Sequence, residues 1–190
     1  MNPLHIIDKY YADNEPLRAL LIKHSRQVTD RALKIAAEQP QLNIDTEFVS
    51  QAAMLHDVGI FLTDAEGIHC FGKEPYLMHG YLGGRLMREE GYPDIARVCE
   101  RHTGTGLTSE VIAHRQLPLP PGNYCPETLE EQLICYADKF YSKSHPNRER
   151  SIADTARSLE KFGFGGVKIF LAWAEKFEPK AYDAYKEANE

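Results

Sequence analysis

The residues best suited to chemistry are an adjacent histidine and aspartate, His56 and Asp57, at the end of an apolar run. Apolar positions within residues 49–53 lead into this pair at helical spacing, so both side chains are expected to point inward from a helix end. Gly59 then supplies a helix stop. A buried carboxylate needs a partner, because an unpaired buried charge is very costly. A bound cation or a salt bridge to an arginine would each supply one.

The same placement recurs at four other positions, where an ionisable residue lies on an otherwise apolar helix face: His24, His79, His102 and Asp138. Taken singly, each histidine is more often a hydrogen-bonded core residue than a ligand. Taken together, four core histidines and two inward carboxylates would each need a separate buried partner. One shared metal centre would satisfy all six groups, which favours a metal site over four separate core histidines.

Helices are the elements that must position these residues. Apolar residues at a 3.6-residue period predict helices from Leu17 to about Glu38, from Thr46 to Val58 with Asp45 as N-cap, over His79–Leu86, from Pro93 to His102, from Thr108 to about His114, and from Glu127 to about Ser142. Residues 61–74 are expected to form a loop. Residues 147–190 predict two or three further helices, broken near residues 163–166 and at Pro179.

No segment gives a convincing strand, so the predicted class is all-α, a helical bundle with the metal site in its core. Repeats and low-complexity tracts are absent from the sequence. At 190 residues, the prior is one domain over residues 1–190, with a core at about 17–142 and a C-terminal helical extension at 147–190.

Composition narrows the classes of partner. The net charge of −6 argues against general nucleic-acid binding. No segment approaches the roughly 18 apolar residues that span a membrane, and the N-terminus lacks the regions of a signal peptide. The four cysteines show no C-x-x-C pairing. We therefore expect a cytoplasmic protein with reduced, mostly core thiols, a disulfide being the lesser alternative.

The order His24 … His56-Asp57 … His79 … His102 … Asp138 resembles the HD-domain superfamily of metal-dependent phosphohydrolases. The resemblance covers about residues 17–142, and its most specific segments are Leu55–Gly59 and Tyr136–Asp138. Segments similar to Arg101–Gly104 and Tyr92–Ile95 also occur in small HD proteins.

The resemblance implies a ligand set. His24, His56, Asp57 and Asp138 would hold a first metal. His79 and His102, with Asp57 bridging, would hold a second. Imidazole and carboxylate ligands suit iron, manganese, nickel, cobalt or zinc better than calcium, and ligand type does not choose among these five.

Two metals roughly 3.5–4 Å apart can bridge a hydroxide, lower its pKa and hold phosphate oxygens for in-line attack. Basic side chains should neutralise charge that builds on the phosphate. Lys139, directly after Asp138, and Lys143, one turn further, are the first candidates. Arg148 and Arg150 follow in a loop that could fold back over the site. For each of the four, the alternative is a solvated surface charge.

One feature near the motif weakens a simple transfer from known enzymes. Many dinuclear HD phosphodiesterases carry a lysine three residues after the metal-binding aspartate, and here that position is Ile60. This difference argues against simple transfer from cyclic-dinucleotide phosphodiesterases. Asp64 and His69, in the loop after the motif, could line the pocket, but as loop residues they are expected to be solvent-exposed.

The function favoured is hydrolysis of a phosphate ester, a nucleotide or a related small molecule, with Asp57, Lys139, Lys143 and Arg148 as the catalytic set. One alternative uses the same ligand order to hold a di-iron centre that activates O₂, as in HD-like oxygenases. The other is a module that senses a nucleotide without turnover. The expected partner is a small-molecule phosphate ester, and no membrane association is expected. The aromatic residues of the C-terminal helices are expected to pack in the core, with a homodimer contact as the second alternative.

Overall fold

The computed structural model describes residues 1–162 and 164–189. Within them the chain forms ten α-helices: α1 (Pro3–Tyr11), α2 (Glu15–Glu38), α3 (Thr46–Leu55), α4 (His79–Glu89), α5 (Pro93–Arg101), α6 (Ser109–His114), α7 (Leu129–Asp138), α8 (Ile152–Glu160), α9 (Phe164–Phe177) and α10 (Pro179–Glu187). The predicted all-α class is confirmed. Helix α1 was not predicted.

Five short strands lie beside the helices, although no strand was predicted from the sequence: β1 (Thr63–Ala65), β2 (Cys70–Phe71), β3 (Glu74–Pro75), β4 (Tyr141–Ser142) and β5 (His145–Glu149). In the first sheet, β1 pairs antiparallel with β2 and parallel with β3. Residues 61–74, expected to be a loop, therefore contain short strands and 3₁₀ turns. In the second sheet, β4 and β5 form an antiparallel hairpin.

Two helices end earlier than the periodicity predicts, and both ends lie at the key residues. Helix α3 ends at Leu55 rather than Val58, so His56 is its C-cap and Asp57 lies in the turn that follows. Helix α7 ends at Asp138 rather than Ser142. Lys143 therefore lies in the turn of the β4–β5 hairpin and not one helical turn after Lys139, as expected.

Side-chain caps define where the core helices begin. The Asp45 carboxylate accepts a hydrogen bond from the Phe48 amide at 2.9 Å, so the predicted N-cap of α3 is confirmed. Thr128 and Glu131 form a capping box at the start of α7. These caps fix the first turns of two helices that deliver site residues at their last turns.

The core lies where α2 packs against α3 and α7, and where α5 packs against α3, α4 and α7. It is apolar, with buried Val28, Ile35, Leu55, Ile134 and Tyr136 among its members. The four cysteines are free and three of them are buried, as the sequence indicated. Among the described residues, no helix is both long enough and apolar enough to cross a lipid bilayer.

The hairpin is fastened to α2 by polar contacts along one side of that helix. Lys23 contacts the Asn147 side chain, and the Gln27 amide donates a hydrogen bond to the Pro146 carbonyl at 3.0 Å. One turn further along, Arg31 pairs with Glu149. These contacts hold the turn that carries Lys143.

The same arginine is the centre of a second polar group, which we call the Arg31 cluster: Arg31, Tyr136, Phe140, Glu149 and Glu178. Its guanidinium pairs with Glu149 and Glu178 and lies 3.4 Å from the centroid of the Phe140 ring. The Tyr136 hydroxyl donates to Glu178 at 2.7 Å. The cluster therefore ties α2 and α7 to the hairpin and to the N-cap of α10.

Candidate metal centre

The six side chains predicted as ligands converge in one buried site. Every one of them is at most 9% exposed, and Asp57 is fully buried. Their nitrogen and oxygen atoms form two groups that share Asp57, and within each group the candidate ligand atoms lie within 4.8 Å of one another. The structure thus brings the six residues together; their role as metal ligands remains a prediction.

The first group consists of His24, His56, Asp57 and Asp138, delivered by α2, by the end of α3 and by the end of α7. The His24 Nε2 atom lies 3.2 Å from Asp57 Oδ2 and 3.0 Å from Asp138 Oδ1. The His56 Nε2 atom lies 3.1 Å and 3.5 Å from the same two oxygens. Two imidazoles and two carboxylates therefore point at one small volume.

The second group adds His79, the first residue of α4, and His102, the C-cap of α5. Their Nε2 atoms lie 3.4 Å and 3.3 Å from the other oxygen of Asp57, Oδ1. They lie 3.0 Å from each other. Asp57 thus presents one oxygen to each group, as a bridging carboxylate would.

Hydrogen bonds on the far side of the imidazoles fix which nitrogen faces the site. The Nδ1 atoms of His56, His79 and His102 lie 2.6–2.7 Å from the carbonyl oxygens three residues earlier in the chain. A carbonyl only accepts, so we assign the proton to Nδ1 in each ring. This leaves Nε2 as the atom available to a metal, an orientation typical of histidine ligands.

That assignment tests whether the residues fit a metal. Burial, set against the nearby Asp57 charge, lowers the pKa of His79 to about 3, and burial also lowers the pKa of His102. Both rings are therefore neutral at pH 7, and their Nε2 lone pairs face each other and Asp57 Oδ1, an oxygen with no hydrogen-bond partner among the described residues. Three acceptors in contact are stabilised by a cation, so the donor set fits a divalent metal.

The first group attracts positive charge as well. Burial alone would lower the pKa of His56, but the adjacent Asp57 and Asp138 carboxylates raise it to about 9. Burial would raise the pKa of both carboxyls; the Lys143 and Lys139 ammonium groups hold the pKa of Asp57 and of Asp138, respectively, well below their usual range. Both aspartates are thus anionic across the neutral pH range, and a metal at His56 Nε2 would displace the proton that this raised pKa keeps on the ring.

Glycine makes the close approach of the two groups feasible. A Cβ atom on Gly59 would lie 2.3 Å from the His79 carbonyl oxygen and 2.4 Å from the Gly83 amide. A Cβ atom on Gly80 would lie 2.5 Å from the Cys99 carbonyl oxygen, which is the acceptor for His102. The missing side chains let the turn after α3 and the end of α5 touch α4.

Two of the predicted basic residues lie at the site. The Lys143 ammonium is 2.5 Å from Asp57 Oδ2. The Lys139 ammonium is 2.5 Å from Asp138 Oδ2 and also donates to the His102 carbonyl at 3.0 Å. In both lysines the carboxylate raises the pKa against the effect of burial, so both are cations.

Arg148, Arg150, Asp64 and His69 do not join them. The Arg148 side chain is 73% exposed and lies 3.5 Å from Asp154 on the surface, and Arg150 is half-buried with a contact to the Lys139 carbonyl. Asp64 and His69 are exposed, as expected for loop residues. The catalytic role predicted for Arg148 has no support in its placement.

One residue at the site was missed. Tyr76 lies in the 3₁₀ turn before α4, and its ring stacks on His79 with 4.7 Å between centroids and 25° between planes. The Tyr76 carbonyl is also the acceptor for His79 Nδ1. The available signal was its spacing, since each acceptor of the three histidines precedes its histidine by three residues.

Comparison with known proteins finds relatives that this chain matches over different shares of their length. Over 155 residues the chain is 32% identical to a tRNA (cytidine(56)-2'-O)-methyltransferase of Thermoplasma volcanium. The matched segment covers 81% of this chain and 40% of that protein. It is 34% identical over 144 residues to an uncharacterized protein of Methanocaldococcus jannaschii, covering 74% of this chain and 76% of the relative. The chain thus spans about two fifths of the methyltransferase's length.

A solved structure with a similar fold is the HD domain of the Listeria monocytogenes phosphodiesterase PgpH. The two superpose with a TM-score of 0.55 at 14% identity, over 97% of this chain and 99% of the other. A family model described as HD domain matches residues 21–142, a segment that contains all six converging residues. This chain belongs to the HD-domain family.

Proposed function

We propose that this protein is a metal-dependent phosphohydrolase that cleaves a phosphate ester of a nucleotide or related small molecule. The observation that carries the proposal is the sharing of Asp57 between two donor groups, with two lysine ammonium groups in the same buried site. A donor set alone would also suit a structural metal. The added cations favour an anionic substrate.

The six converging residues would hold metals at two positions. His24, His56, Asp57 and Asp138 would hold one metal, and Asp57, His79 and His102 a second. Bound divalent metals supply a nucleophile from water at neutral pH and neutralise phosphate oxygens. The backbone carbonyls behind His56, His79 and His102 keep each Nε2 turned inward, so the chain itself sets the ligand geometry.

Lys143 is the better placed of the two lysines to meet a phosphate. Lys139 is held between Asp138 and a backbone carbonyl, whereas Lys143 pairs with Asp57 and has no backbone carbonyl acceptor among the described residues. Lys143 also extends from a two-residue hairpin turn, so its four-carbon stem reaches the site from outside the helical core. An ammonium there would neutralise charge that develops during phosphoryl transfer.

The relatives support this reaction class more than they support methyl transfer. The neighbour of similar fold is named a phosphodiesterase, and its HD domain is matched over nearly its full length. The matched segment is a minor part of the methyltransferases, 40% in Thermoplasma volcanium and 32% in Picrophilus torridus. We therefore do not carry the methyltransferase activity over. A small-molecule substrate, rather than general nucleic-acid binding, agrees with the net charge of −6.

The test is hydrolysis of a panel of nucleotide mono- and diesters by protein loaded separately with Mn²⁺, Ni²⁺, Co²⁺, Zn²⁺ or Fe²⁺. We expect phosphate or nucleotide release that Asp57→Asn abolishes. Equal turnover by that variant would contradict the proposal. Substrate-dependent O₂ uptake with iron alone would favour the oxygenase, and thermal stabilisation by nucleotide without product would favour a sensor.

A further inference from the structure

Tyr76 occupies a position that the ligand set does not explain. Its backbone oxygen accepts the Nδ1 proton of His79 at 2.6 Å, and its ring stacks on the same imidazole. The carbonyl would serve His79 with any side chain at this position. The aromatic ring adds a second contact that fixes where its own hydroxyl group lies.

Several other buried or half-buried tyrosines have an acceptor for their hydroxyl within the chain. The hydroxyls of Tyr10, Tyr11 and Tyr136 donate to Glu90, to the Val58 carbonyl and to Glu178, at 2.5–2.7 Å. In the part of the chain that the structure describes, no carboxylate or carbonyl oxygen accepts from the Tyr76 hydroxyl.

The surroundings of the phenol favour an anion as its acceptor. The phenol lies near the Lys143 ammonium, which is itself 2.5 Å from Asp57 Oδ2. The Tyr76 hydroxyl is thus a second donor next to the Lys143 ammonium, on a ring stacked against His79. Two neighbouring donors suit a ligand with several acceptor oxygens at fixed spacing. A phosphoryl group has that chemistry, and charge-assisted hydrogen bonds to it are among the stronger ones.

We propose that the Tyr76 hydroxyl donates a hydrogen bond to a non-bridging phosphate oxygen of the substrate, which makes Tyr76 a substrate-binding residue on the His79 side of the site. This inference rests on the proposed phosphohydrolase function and names one of its phosphate contacts. The Lys143 ammonium would neutralise phosphate charge, and the Tyr76 hydroxyl would orient the phosphate through a directional hydrogen bond. Together they select a phosphoryl group over a planar carboxylate, which has fewer acceptor oxygens.

The experiment uses Tyr76→Phe, which removes the hydroxyl and keeps the stacked ring and the backbone acceptor. The probe is inorganic phosphate, titrated calorimetrically into Mn²⁺-loaded protein, alongside KM and kcat for the best ester of the panel. We expect phosphate affinity to fall and KM to rise by about tenfold or more, as for a lost hydrogen bond to a charged group, with Mn²⁺ content unchanged. Tyr10→Phe, which loses a hydroxyl bonded to Glu90, is the matched control and should match the wild type.

Unchanged phosphate affinity and KM in Tyr76→Phe, with wild-type turnover intact, would overturn this inference and leave the proposed function standing. A loss of Mn²⁺ in the variant would also overturn it, since the hydroxyl would then support the ligands. Absence of turnover and of phosphate binding in the wild type would instead refute the proposed function, and the inference with it.

Discussion

Two buried polar groups in this chain, the candidate metal centre of six converging residues and the Arg31 cluster, differ in how their members face one another. In the Arg31 cluster donors meet acceptors: a guanidinium pairs with two carboxylates, and a phenol donates to one of them. In the metal centre, the Nε2 atoms of His79 and His102 meet each other and a carboxylate oxygen. The first arrangement is complete as a structural element, whereas the second would gain stability from an added cation.

The comparison is tested most strongly at Asp57, the residue shared by both donor groups. Replacing a hydrogen-bonded partner of a metal ligand costs roughly 10–100-fold in affinity, so Asp57→Asn should weaken metal binding by more than about 100-fold at both positions. Metal analysis after dialysis and calorimetric titration measure this. His79→Gln is the matched control, because His79 belongs to the second group alone and one metal should remain bound.

If Asp57→Asn kept both metals, Asp57 would not bridge, and the two groups would be separate hydrogen-bonded pairs. If His79→Gln lost both metals, the two positions would be filled only together. Either result would revise the division of the six residues into two sets that share one carboxylate.

The Arg31 cluster should behave in the opposite way. Arg31→Met leaves Glu178, which is 16% exposed, without its cation, and removing one partner of a buried pair costs about 3 kcal/mol. We expect the free energy of unfolding in urea to fall by about that amount, with metal affinity unchanged. Arg26→Met, at an exposed position of the same helix, is the control and should shift stability by less than about 0.5 kcal/mol.

Loss of metal affinity in Arg31→Met would break the contrast. It would mean that the hairpin fastened by Arg31 and Glu149 is needed to form the metal centre, and that the two groups act as one.

Lys143 lies at the candidate metal centre but is a cation and not a candidate ligand. Its loss should therefore affect catalysis more than folding. Lys143→Met should lower kcat by roughly 10–100-fold, the value of a hydrogen bond to a charged group of about 1.5–3 kcal/mol. Metal content should be retained, because Lys143 is a cation and would compete with a metal for Asp57. A Lys143→Met enzyme with wild-type kcat would exclude the residue from phosphate neutralisation.

Gly59 tests whether close backbone contact supports the centre. Gly59→Ala places a methyl group 2.3 Å from the His79 carbonyl oxygen, and overpacking of this kind costs about 1–3 kcal/mol. Thermal unfolding with and without metal measures it. Gly67→Ala is the control, because a Cβ atom there meets nothing within 4 Å. Equal stability of the two variants would show that α4 can shift without cost.

The helices other than α1, and the six converging residues, were predictable because each depends on local periodicity. His24, His79 and His102 share a helical spacing with apolar residues, and helices α2, α4 and α5 lie where that spacing predicts. Proline at the start of α5 and Asp45 before α3 are equally local signals.

What the sequence did not reveal depends on contacts between distant segments. Strands of two to five residues have too few positions to show alternation, and β5 contains Pro146. The end of α7 at Asp138 is set by the hairpin that pairs residues 141 and 149, which no helical period encodes. The neighbours of Tyr76 and Arg148 likewise depend on how loops fold, and for Arg148 the expectation of a place at the site gained no support.

The smallest effect is expected at Arg148, which shares β5 and its hairpin with the turn that carries Lys143. Its side chain is 73% exposed and its partner is Asp154, and exposed ion pairs contribute about 0–1 kcal/mol. Arg148→Met should therefore change kcat by less than about twofold, the range in which surface substitutions fall, measured on the same ester as Lys143→Met. A loss equal to that of Lys143→Met would mean that the hairpin rearranges when substrate binds, because only such a movement could bring this guanidinium to a phosphate.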